Sequence, residues 1–286
     1  MNFSLQELKS QNGNYTKKNE VSSTRPTSAL AAMKSGKLTN STSKNQIANK
    51  MQNYAAAVID ETAEMLKSTK TDLIFTIDIS GSTEGLEGAT CAGYNGLIAK
   101  EKATGYNTQV TTVLFNHEAQ EVGFRTNIHN VAPLAYRADG GTALFDTIAD
   151  TIIKVRDAQA RDAEKPKNTL FYIMTDGKIH GFGSECSTRH NAASVRSLIK
   201  ECKERLGWEF ILFSDSKEIA SLLGIGDRNS VEIEKSQEGF YNSLVSTSQA
   251  LDDLRTYGKL TDSWANASKK KNTALENKDQ KRLGLK

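Results

Sequence analysis

The run Leu73-Ile74-Phe75-Thr76-Ile77-Asp78-Ile79-Ser80-Gly81-Ser82 decides the fold. Leu73 to Ile77 is nearly all apolar, with no polar residue at alternate positions. A strand buried on both faces of a parallel sheet reads this way, whereas a strand with one wet face alternates. The polar group follows at once: a carboxylate at Asp78, then hydroxyls at Ser80 and Ser82 on a turn loosened by Gly81. In an open parallel sheet, ligands bind outside the carboxyl ends of the strands, where the strand order reverses. Asp78, Ser80 and Ser82 fall on that edge.

The same pattern recurs elsewhere in the chain. Leu170-Phe171-Tyr172-Ile173 runs into Met174-Thr175-Asp176-Gly177, and Gly140-Gly141-Thr142-Ala143-Leu144 opens a helix expected from Thr142 to about Ala160. Further strands are expected over Gln109–Phe115, Trp208–Phe213 and Val231–Ile233, with Ala119–Thr126 pairing as an edge hairpin. Helices are expected over Leu86–Ala103, Ser187–Leu206, Ser216–Leu223 and Gln237–Tyr257. Strands alternating with helices of this length predict an α/β fold: a doubly wound, mostly parallel sheet with helices on both faces.

Asp78, Ser80, Ser82, Thr142 and Asp176 then form one candidate metal site of two carboxylates and three hydroxyls. Hard oxygen donors without thiolate or imidazole suit Mg²⁺ or Mn²⁺ and suit zinc or copper poorly. Each residue alone is equally what a helix cap or a turn uses; the set, in this order and at these strand ends, carries the inference. His180, Cys186, His190 and Cys202 lack the short paired spacings of a zinc site. His117 and His129 read as surface residues of the edge hairpin and the loop after it. No phosphate-binding G-x-x-x-x-G-K-[ST] loop and no Ser-His-Asp or Cys-His arrangement is legible.

The order D-x-S-x-S, then Thr in G-T-A-L, then Asp in T-D-G, resembles the von Willebrand factor A (vWA) domain and its metal-ion-dependent adhesion site. The resemblance spans Thr71 to Thr247. It implies a Rossmann-like fold in which Ser80, Ser82 and Thr142 touch the metal while Asp78 and Asp176 act directly or through water. It also implies that the open metal position takes an Asp or Glu carboxylate from a partner protein. Thr83 stands where many such sites carry Met, outside the ligand set. Gly207-Trp208-Glu209-Phe210-Ile211-Leu212, followed by Leu223-Gly224-Ile225-Gly226, is similar to the stand-alone intracellular vWA proteins of bacteria and phages.

The rest of the chain is read as appendages. Only 37% of the 286 residues are hydrophobic, and the shortage is local, since residues 1–50 are rich in Asn, Ser, Thr and Lys. The expected organisation is a disordered basic arm over 1–50, a helical extension over 51–70, the vWA domain over 71–259 and a basic tail over 260–286. In the extension, Met51, Tyr54, Ala55, Val58, Ile59, Met65 and Leu66 recur at helical spacing and are expected to pack on the domain. The net charge of +3 hides a segregation: residues 1–50 hold eight Lys or Arg against two Glu, and residues 269–286 hold seven basic against two acidic residues. An acidic middle between basic arms is compatible with solvated tails, or with arms that meet nucleic acid or an acidic partner. No apolar run approaches ~18 residues, so no membrane span is expected. The start Met1-Asn2-Phe3-Ser4-Leu5-Gln6 lacks a secretory pattern, and three scattered cysteines make no disulfide framework, so a cytoplasmic location is expected.

The functional expectation is a non-enzymatic, metal-dependent protein-binding module within a larger assembly. The alternatives are an adaptor subunit of an AAA+ ATPase or a virion component, and a metal-assisted phosphoester hydrolase. The hydrolase would need a second metal or a positioned base, and the sequence displays neither.

Overall fold

The computed structural model describes residues 41–176 and 185–269. In it, the apolar run 73–77 lies in β1 (Thr71–Asp78), every residue of which is buried. β1 runs parallel between β2 (Thr108–Phe115) and β4 (Asn168–Thr175), with Ile77 opposite Leu114 on one side and Met174 on the other. β3 (Ala119–Asn127) closes one edge antiparallel to β2, as the hairpin reading expected. β5 (Glu209–Ser214) and β6 (Ser230–Glu232) extend the other edge in parallel. The order is β3-β2-β1-β4-β5-β6. The chain winds outward from β1 to β3 and then restarts on the opposite side at β4. The switch point therefore lies between the carboxyl ends of β1 and β4.

Alternate residues of β1 serve two cores. Leu73, Phe75 and Ile77 join a cluster with Leu97, Leu244 and Leu251, contributed by α2 (Glu87–Thr104) and α6 (Gln237–Tyr257). Ile74 joins a cluster with Ile148, Val155 and Ile199, from α3 (Leu144–Arg161) and α4 (Ala192–Leu206), which α5 (Lys217–Leu223) completes. Helices on both faces of a mostly parallel sheet are the doubly wound α/β fold expected from the alternation of elements.

Two expectations need correction. The N-terminal helix, α1 (Ser41–Ser68), starts at Ser41 rather than Met51, so residues 41–50 are helical and not part of an unstructured arm. The chain divides into two units within this helix, between Glu61 and Thr62. At the other end, the expected tail over 260–286 begins with a further helix, α7 (Ser263–Lys269). Trp264 of α7 is fully buried and meets Phe213 edge-on at 5.7 Å. Asp253 of α6 ties the helix down by accepting hydrogen bonds from Thr261 Oγ1 (2.6 Å) and Ser263 Oγ (2.8 Å). One tryptophan in a polar stretch has no period, so the pattern alone reads as tail. The expectations for residues 1–40 and 270–286 lie outside the described residues. No described helix is long and apolar enough to cross a membrane.

Away from the switch point, buried charges brace the scaffold. Glu101 of α2 accepts from Arg255 Nη1 at 2.8 Å, both side chains being buried, and Arg255 Nη2 donates to Thr108 Oγ1. Arg125 of β3 joins Asp72 (2.9 Å) and Asp162 (2.6 Å).

Candidate metal centre

The carboxyl ends of β1 and β4 bring the first and last predicted ligands side by side. Asp78 ends β1, fully buried, and both of its oxygens are engaged: Oδ1 accepts the Ser80 N–H at 2.8 Å and Oδ2 accepts from Thr175 Oγ1 at 2.6 Å. Asp176 follows β4 directly and is equally buried. Burial pushes the Asp78 carboxyl up to about 6, the hydrogen bonds from Ser80 and Thr175 oppose that rise, and the nearby Asp176 carboxylate adds to it.

After Asp78 the chain makes a single 3-10 turn, Gly81–Thr83, which brings the Ser80 and Ser82 hydroxyls to 3.0 Å from each other. Thr83 closes the turn by donating Oγ1–H to the Ser80 carbonyl at 2.8 Å. A β-branched residue with a donor therefore does structural work at the position where the resemblance leads one to expect Met.

Thr142 arrives from the segment between β3 and α3. Backbone bonds stitch that segment to the first loop: Asp139 N–H donates to Ile79 O (2.9 Å) and Gly81 N–H donates to Gly140 O (3.0 Å). Gly140 sits at φ +79°, and a Cβ there would lie 2.3 Å from His117 Nδ1. The left-handed backbone favours glycine there, while the exposed His117 ring could turn aside. His117 is exposed, as expected of a surface residue of the hairpin, and its ring lies against Gly140. Thr142 itself is buried and does not start a helix as expected. It precedes α3 by two residues and pairs in an isolated parallel bridge with Glu185, its carbonyl accepting the Cys186 N–H at 2.9 Å. The Thr142 hydroxyl is therefore not serving as a helix cap. The α4 helix also begins later than expected, at Ala192. Residues 188–190 instead give their N–H groups to the Asp146 carboxylate of α3.

Two participants escaped the sequence reading. Thr175 donates to Asp78 across the strand pair. Lining up the two apolar runs, with Ile77 opposite Met174, places Thr175 beside Asp78 and was the available signal. Lys235, in the segment between β6 and α6, donates Nζ–H to Asp176 Oδ2 at 2.7 Å. No local pattern marks it, because it is 59 residues away in sequence. Asp176 Oδ1 is buried with no hydrogen-bond partner among the described residues.

A buried carboxylate oxygen without a donor, a second buried carboxylate and a shelf of hydroxyls form a donor set that fits a hard divalent cation. With only two carboxylates the set is hydroxyl-rich. Among the described residues, no group of three or more His, Cys, Asp or Glu gathers for a metal. The thiols and imidazoles weighed for zinc do not converge: Cys202 is buried in the α3–α4 core, Cys186 is exposed, and His190 faces Asp150 at 3.7 Å. His180 lies outside the described residues.

No family model matches the chain, and no curated protein matches it. Among solved structures it is similar to the PilB minor pilin of Streptococcus sanguinis, at 12% identity and TM-score 0.47, over 64% of this chain and 61% of that one. It is similar to the ArnB paralog VWA2 of Sulfolobus acidocaldarius, at 13% identity and TM-score 0.40, over 63% of this chain and 45% of that one. It is also similar to the manganese-loaded TRAP protein of Plasmodium vivax, at 13% identity and TM-score 0.41, over 63% of this chain and 74% of that one. The chain thus spans less than two thirds of the PilB and VWA2 chains. At these identities residue roles do not transfer, and the centre is read from its own side chains.

Proposed function

We propose that this chain is a vWA-type, non-enzymatic binding module. Asp78, Ser80, Ser82, Thr142 and Asp176 hold one Mg²⁺ or Mn²⁺, and a protein partner completes the site with an Asp or Glu carboxylate, within a larger assembly. The observation that carries this reading is the pair of buried carboxylates at the switch point, one destabilised as an anion by burial and the other with an orphaned oxygen. When bound, the cation supplies a Lewis-acidic position for an external carboxylate. The chain's own residues do the rest. Asp78 holds the first loop through the Ser80 N–H, Ser80 and Ser82 present adjacent hydroxyls, and the Gly140 loop brings in Thr142. Hydroxyl ligands are neutral, so they leave the cation's charge less compensated than a carboxylate cage would, and an anionic partner gains accordingly.

The test needs no identified partner. Mn²⁺ should bind at a ratio of one per chain by calorimetry, with modest affinity, and Asp78→Ala should abolish the binding. Water-proton relaxation by the bound Mn²⁺ should then fall as a small monocarboxylate is added, because the carboxylate replaces metal-bound water. Equal Mn²⁺ binding by wild type and Asp78→Ala would remove the assignment. Relaxation that ignores the carboxylate would remove the partner chemistry while leaving the metal.

A further inference from the structure

Lys235 is the one cationic side chain that pairs with Asp176 among the described residues. The geometry divides Asp176 between two tasks. Oδ2 takes the ammonium at 2.7 Å, while Oδ1, on the same rigid buried carboxylate, is left without a donor. Lys235 is two-thirds buried and Asp176 fully so, which weakens screening by solvent between them. Its place is set by the fold. β6 is the outermost parallel strand, and the chain leaving it returns over the carboxyl ends of the strands before Ser236 caps α6 through the Gly239 N–H.

We propose that Lys235 is a charge-setting residue of the metal centre, one that weakens binding of the metal alone and strengthens capture of a carboxylate by the loaded site. The inference rests on the metal-binding reading above and deepens it. Two carboxylates and one ammonium carry a net charge of −1. A divalent cation then brings the centre to +1, whereas without Lys235 it would reach only 0. The ammonium repels the arriving cation and pulls charge density from Asp176, so the metal alone binds less well. The surplus positive charge attracts an anionic ligand once the metal is in place. Metal and carboxylate are thereby linked, each favouring the other. Lys235 keeps its bond to Oδ2 throughout, since Oδ1 is the oxygen left for the centre.

The test compares wild type with Lys235→Gln, which keeps a hydrogen-bond donor but loses the charge, and with Lys235→Arg, which keeps both. Two affinities are measured on the full chain: Mn²⁺ alone by calorimetry, and N-acetyl-glutamic acid amide on the Mn²⁺-loaded protein by water-proton relaxation. Lys235→Gln should bind Mn²⁺ about tenfold more tightly and the carboxylate about tenfold more weakly. Lys235→Arg should resemble wild type in both. Opposite movement is the signature of charge, because a merely disordered site loses both affinities together. If both fall in Lys235→Gln, Lys235 only positions Asp176 and the proposal is overturned. It is overturned equally if neither changes. Absence of Mn²⁺ binding in wild type would instead bring down the metal reading, and this inference with it.

Discussion

Asp78→Asn should make the metal-free protein more stable and its metal response vanish. In the fold, burial raises the Asp78 carboxyl from 3.8 to about 6. A raised value means that the folded state holds the proton more tightly than the unfolded chain does. The stability this group confers is therefore fully present below 3.8 and is lost as pH rises through 6. Above that window the ionised Asp78 is a burden of about 3 kcal/mol, at about 1.4 kcal/mol per unit. Asparagine removes the charge at nearly constant shape. Its carbonyl can still accept the Ser80 N–H, and its amide faces Thr175 Oγ1, whose hydroxyl can turn to accept. Urea denaturation in EDTA above pH ~7 should show Asp78→Asn gaining up to about 3 kcal/mol. Wild type in Mn²⁺ at a hundred times its Kd should gain about 2.7 kcal/mol, and Asp78→Asn should gain nothing. The gap between the two proteins in EDTA should close as pH falls toward 4. The reasoning is refuted if Asp78→Asn is the less stable protein in EDTA, or if it gains as much from Mn²⁺ as wild type does.

Gly140→Ala should cost about 1–2 kcal/mol from left-handed backbone alone, and it should weaken Mn²⁺ binding because the loop carrying Thr142 is pinned at Gly140; thermal denaturation with and without Mn²⁺ checks both. Trp264→Ala should cost about 3–5 kcal/mol by chemical denaturation, since a fully buried ring is removed from beside Phe213, and a chain in which residues 260–286 were mere tail would show no change. Arg255→Met should cost about 3–5 kcal/mol because it strands the buried Glu101 carboxylate, and pairing it with Glu101→Leu should restore most of that loss; failure of the double variant to recover would mean that the pair, rather than its unpaired half, is what the fold needs.

The sheet and its polar carboxyl edge follow from local pattern. Unbroken apolar runs at 73–77 and 170–173 can satisfy their side chains only when both faces are covered, and a strand so covered must end in polar residues. Asp78, Ser80, Ser82 and Asp176 were legible for that reason, since each stands within a few residues of its strand end and local order fixes its place. The place of Thr142 was not legible as a helix start, because two residues separate it from α3 and its bridge to Glu185 joins segments far apart in the chain. The contacts that no local pattern announces are long-range. Lys235 meets Asp176 because β6 is the sheet's outermost strand and its exit crosses the strand ends. Trp264 is core rather than tail because α6 leaves a surface on the sheet that a following helix can cover. A period states which side chains share a face of the helix; burial depends on what the rest of the chain places opposite that face, and no local pattern encodes it.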